Sequence, residues 1–187
     1  MFNWLTVTFH KRMVILAIKY FNWRRKDEAI PFMDGWDDIR CCLVCLPVEG
    51  VSVQEAKVVL DRLRQRFPQA KITIMTLPGI LDNLVQNISL SYDNLEILRI
   101  NERMLSSSGL PKSSLRQQLN ALDVDIAIDL SPQFVPLSAY LCQLSRAKIK
   151  VGFAGMSFGD LVFNYQIAPK PERTGIERYR VLAGYIG

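Results

Sequence analysis

A single histidine, His10, is present in 187 residues, and it lies in the first ten. No Ser–His or Cys–His pair is therefore available beyond the N-terminal arm, which excludes the usual nucleophile–base couples there. Four cysteines are too few for a disulfide scaffold and fit a reducing, cytoplasmic setting. Cys41, Cys42 and Cys45 share one apolar run, but strand alternation sends Cys42 to the opposite face from the other two. No metal site is expected from them; small buried hydrophobes are the simpler reading. Long apolar runs are also missing. A spanning helix needs about 20 mostly apolar residues; here the apolar centre 13–18 is flanked by Arg12 and Lys19. A basic cluster, 24–26, follows that centre with no small-residue cleavage site after it, unlike a signal peptide.

Acidic residues are absent from the first 26 positions, which hold Lys11, Arg12, Lys19, Arg24, Arg25 and Lys26. The formal net charge is +5, from 23 Lys and Arg against 18 Asp and Glu. Beyond Lys26, 17 basic residues face those same 18 acidic ones, so the body is near neutral. A domain-wide nucleic-acid footprint is not expected.

What the arm does contain is helical spacing. Leu5, Phe9, Leu16, Tyr20 and Trp23 recur at steps of three, four or seven. Thr8, Lys11, Arg12, Lys19, Asn22 and Lys26 gather in a narrower polar stripe beside them. A broad apolar face with a basic stripe suits a helix in the interface of an anionic membrane, peripheral on its inner face. The competing reading is a helix packed on its own domain or on a protein partner. Residues 27–38, with Pro31 and Gly35, read as a linker.

From residue 39 the chain alternates. Apolar or alternating runs at 39–46, 71–76, 95–100, 124–130, 148–153 and 163–167 predict six strands. Helical patterns at 52–67, 80–86, 113–122, 136–145 and 174–186 fall between and after them. Ser52 with Glu55 forms a capping-box pattern, and Ser113 or Ser114 a cap. Strand–helix alternation predicts an α/β, Rossmann-like domain over 39–187. It has a parallel sheet with helices on both faces, preceded by the amphipathic helix 1–26. Ligands of such sheets bind beyond the carboxyl ends of the strands. The first turn there, 47–52, has one glycine and matches neither a dinucleotide fingerprint nor a P-loop, so no cofactor is expected. Asp123, Asp125 and Asp129 resemble a carboxylate cluster, but only Asp129 falls at a strand exit, where it serves chemistry or bonds loop N–H groups.

The order of motifs resembles glycosyltransferase family 9, the ADP-heptose:lipopolysaccharide heptosyltransferases. The run LRQRFPQAKIT at 63–73 carries the resemblance most specifically. CLVCLP, ALDVDIAIDLS, RAKIKVGFAG, FNYQI and VLAGYIG support it in order. The resemblance covers 40–187, equivalent to the acceptor-side half of a two-domain enzyme whose other half holds the ADP-sugar. It implies an acceptor-side loop set of Gly50, Ser52, Ser131 and Gln133. It also implies a general base after the first-turn glycine, where this chain has Val51, which cannot take a proton. Glu49 is the only carboxylate in that turn, and Glu49 and Asp129 are the remaining catalytic candidates. Three functions follow. The chain is a degenerate, non-catalytic binding or assembly module, or half of a split enzyme completed by a separate donor-binding domain, or an unrelated small-ligand Rossmann module.

Overall fold

The computed structural model describes residues 4–24, 36, 38–80, 82–89, 92, 95–168 and 175–187. Helix α1 (Trp4–Arg24) comes first. Strands β1 (Cys41–Cys45), β2 (Lys71–Thr76), β3 (Leu95–Arg99), β4 (Ile126–Asp129), β5 (Ile149–Phe153) and β6 (Tyr165–Ile167) form one sheet. Helices α2 (Gly50–Glu55), α3 (Lys57–Arg66), α4 (Asp82–Ser89), α5 (Ser113–Ala121), α6 (Pro136–Leu144) and α7 (Ile176–Ile186) alternate with or follow the strands.

The strand order is β3-β2-β1-β4-β5-β6, and every neighbouring pair is parallel. This is the Rossmann-like arrangement expected from the alternation. Strands β1 and β4 are adjacent at the centre, with Cys42 opposite Ile126 and Cys45 opposite Asp129. All five β1 side chains are buried, as they must be in a strand covered on both faces. Their period of two divides them: Cys42 and Val44 join the core under α2, α3 and α7, while Cys41, Leu43 and Cys45 join the core under α1, α5 and α6.

Two expectations at helix starts are corrected. The run expected as one helix over 52–67 begins earlier, at Gly50, and is divided at Ala56, where Val59 N–H donates to the Ala56 carbonyl at 3.0 Å in a tighter, 3₁₀-type step. Ser52 therefore lies inside α2 rather than capping it; the capping position is Glu49, whose side chain makes no capping bond. Helix α5 likewise starts from Lys112, without a side-chain cap from Ser113 or Ser114.

Helix α1 packs on the body. Val14 and Ile18 are buried in the core shared with α6. Asn22 bonds both the Leu161 carbonyl and the Gln143 side chain, so a residue of the expected polar stripe faces inward as a clamp. Phe9, Leu16, Tyr20 and Trp23 remain exposed, at 53, 58, 58 and 82%. Among the described residues no helix is long and apolar enough to cross a membrane. Of the stretch read as a linker, only Trp36 and Asp38 are described; Trp36 is buried edge-on against Tyr165.

Candidate functional site

The sheet order reverses direction between β1 and β4, so the loops leaving those two strands open a crevice at the carboxyl edge. From β1 come Leu46, Pro47, Val48 and Glu49, the last exposed at the mouth and set before the first turn of α2. Gly50 and Val51 form that first turn, and Ser52 follows, nearly buried. From β4 come Leu130 and Ser131, both buried, and then Gln133, which is exposed.

Helix α7 closes the far side, and its contribution was not anticipated. Tyr179 is buried and donates its hydroxyl to the Leu130 carbonyl at 3.0 Å. Burial pushes its phenol up to about 12, with Ser52 opposing as a hydrogen-bonding neighbour. Arg178 donates to the Pro132 carbonyl at 3.0 Å, and its guanidinium lies 5.5 Å from the Phe153 ring centre. The Nε atom of Arg178 is buried with no hydrogen-bond partner. The Arg-Tyr pair in the first turns of a closing helix was the sequence signal; periodicity alone gave no reason to fold it back over the first turn.

Asp129 does not face the crevice. Its side chain turns toward α6 and is 1% exposed, and it accepts the Ser131 N–H at 3.0 Å. Burial pushes its carboxyl up to about 6, against the lowering influence of Ser131 and Ser138. Of the two roles open to it in the sequence, the loop-bonding one is the one this geometry displays. Asp125 sits at the entry edge of the sheet, where it accepts the N–H groups of Arg40 and Cys41 at 2.8 and 2.9 Å. The apparent carboxylate cluster is thus divided between opposite edges. Among the described residues no group of three His, Cys, Asp or Glu side chains is arranged to hold a metal.

A second hollow, of about 330 Å³, lies on the α1 side of the same edge. Val48, Leu77, Pro78 and Val135 wall it, and His10 and Lys11 of α1 stand on its border. His10 Nε2 donates to the Ser107 carbonyl at 2.8 Å, and Gly109, at φ +77°, passes His10 so closely that a Cβ would lie 3.2 Å from it. Of the other arm residues named from the sequence, Leu5 lies within α1, Lys11 and Lys19 are exposed, and Lys26 lies outside the described residues.

No protein-family model and no curated protein matches the chain. Solved structures do. The E. coli heptosyltransferase WaaC, determined with ADP, superposes with a TM-score of 0.58 at 19% identity, over 77% of this chain and 46% of that one. A glycosyl transferase family 9 protein from Veillonella parvula superposes with a TM-score of 0.54 at 22% identity, over 81% of this chain and 42% of that one. The chain thus spans less than half the length of these proteins, and what it shares with them is the fold of one part.

Proposed function

We propose that this chain is an acceptor-side, glycosyltransferase family 9-like domain that works as a binding or assembly module at an anionic membrane surface and transfers no sugar by itself. The observation that carries the reading is the state of the carboxylates at the crevice. Asp129 is buried away from it and engaged with the Ser131 N–H, and the position where the resemblance implies a base is Val51. Acceptor activation needs a base within hydrogen-bond reach of the attacking hydroxyl. Isothermal titration with ADP and with ADP-heptose tests this. The resemblance places the ADP-sugar on the other half of a two-domain enzyme, so neither is expected to bind at micromolar levels, and saturable micromolar binding of either would overturn the assignment to the acceptor side.

One observation favours a second reading, in which the chain is the acceptor half of a split enzyme. Glu49 is exposed at the mouth of the crevice, on the edge where an acceptor would lie. Turnover on adding the donor-binding domain of a related enzyme, lost in Glu49→Gln, would establish it. No turnover in that mixture keeps the binding-module reading.

A further inference from the structure

Among the helices, the acidic residues lie toward one face of the sheet only. Helices α1, α5 and α6, which cover one face, contain no Asp or Glu. Helices α2, α3, α4 and α7, toward the other face, carry Glu55, Asp61, Asp82 and Glu177. On the face of these three helices α1 presents its ridge of Phe9, Leu16, Tyr20 and Trp23. Val14 and Ile18 are buried on the opposite side of the same helix, so docking of α1 aims the ridge away from the body.

Beside that ridge runs a groove of about 450 Å³ between α1, α5 and the end of α6. Arg116 and Arg146 line it, with Tyr20 on the ridge side and Tyr140 in the wall. Among the described residues neither arginine side chain has a hydrogen-bonding or acidic partner. Arg146 also holds a left-handed backbone, φ +59°, just past α6, where glycine would be the less strained residue.

We propose that this groove is a headgroup site for an anionic glycerophospholipid of the bilayer, with Arg116 and Arg146 holding the phosphodiester while the ridge enters the interface beside it. The inference rests on the membrane-surface reading above and gives it a ligand. Guanidinium forks match phosphate oxygens two at a time, and they bind more strongly in a partly enclosed groove than in open water. Tyrosine sits well at headgroup depth, which suits Tyr20 between ridge and groove. The three helices carry six basic residues, Arg146 just past α6 included, and no carboxylate, which favours an anionic surface, with the exposed Asp160 in the turn against α1 as the acidic exception nearby. A bilayer lipid, rather than a free phosphate, is the occupant because the groove opens beside four exposed large apolar side chains that a soluble anion would leave in water.

The test is co-sedimentation of the full chain with phosphatidylcholine vesicles and with vesicles containing phosphatidylglycerol. Wild type should favour the latter. Arg116→Gln/Arg146→Gln should weaken that binding roughly tenfold, whereas Arg62→Gln/Arg180→Gln, the same charge change on the other face, should leave it unaltered. Arg116→Lys/Arg146→Lys keeps the charge but not the fork, and should still lose binding several-fold. Arg116, Arg146 and Arg180 are exposed and Arg62 is half-buried, and matching thermal melts would verify the folding of each variant. If the lysine pair binds like wild type, the attraction is diffuse and there is no site. If the glutamine pair does, the arginines are irrelevant. If glycerol 3-phosphate in solution binds the groove and is lost in the glutamine pair while vesicle binding is not, the occupant is a soluble phosphate. If wild type binds neither vesicle, the membrane reading itself fails, and this inference with it.

Discussion

Asp129 is a carboxyl group held at about 6 by burial, above its ordinary value of 3.8. The folded state therefore binds its proton more tightly than the unfolded chain does. Its contribution to stability is present below about pH 4 and is lost as pH rises to about 6, by roughly 3 kcal/mol in all. Urea unfolding from pH 4 to 7 should show this decline in wild type and a flatter profile in Asp129→Asn, which still accepts the Ser131 N–H. An equal decline in both would assign it to other groups. Gly152 is a steric case. A Cβ there would lie 2.7 Å from the Phe163 ring, itself buried, so Gly152→Ala should cost about 1–3 kcal/mol. Adding Phe163→Leu should recover part of it; a neutral single variant would refute the close packing. Residue detail was the least legible scale. The period of two put Cys42 opposite Cys41 and Cys45, as observed, because alternation is local. The same alternation puts Asp129 with Ala127 on the α6 side of β4, but that this side turns away from the crevice depends on how α6 packs, which no local pattern encodes. Glu49, not Ser52, took the capping position because the chain enters the helix directly after the extended Glu49, and propensity at Ser52 could not override that entry.

At the scale of elements, the strands were readable and the arm was only half so. The KITIMT run predicted β2 with its observed bounds, since buried strands bounded by turn residues leave little freedom of assignment. The arm was readable as a helix, but with apolar side chains around most of its circumference the sequence did not select which stripe docks. The body selects Val14 and Ile18, and Asn22 fixes the choice by bonding across to Gln143 and Leu161. Two substitutions separate the faces. Ile18→Ala should destabilise the protein by about 2–5 kcal/mol, because the side chain is wholly buried. Leu16→Ala, at a site 58% exposed, should change stability by less than about 0.5 kcal/mol yet weaken vesicle binding. The reverse pattern in chemical melts and co-sedimentation would mean that α1 docks by its other face.

For the whole molecule, one sheet separates two surfaces of different character. The crevice of the β1–β4 switch point lies at its carboxyl edge, where α7 brings Arg178 and Tyr179 over the first turn. The face of α1, α5 and α6, helices without Asp or Glu, lies to one side of that edge, and the hollow bordered by His10 and Lys11 lies on the same side. A domain held to a bilayer by that face would keep its crevice beside the membrane. Topology was legible because strand–helix alternation permits few parallel sheets. The gathering of the helices that lack acidic residues on one face was not, because α5 and α6 meet α1 only in three dimensions. The measurement that tests the account most directly is hydrogen exchange of the full chain, read by mass spectrometry, with and without phosphatidylglycerol-containing vesicles. Slower exchange in 4–24 and 113–121, with 57–66 and 176–186 unchanged, is the predicted result. Slowing confined to 57–66 and 176–186, or none anywhere, would contradict it.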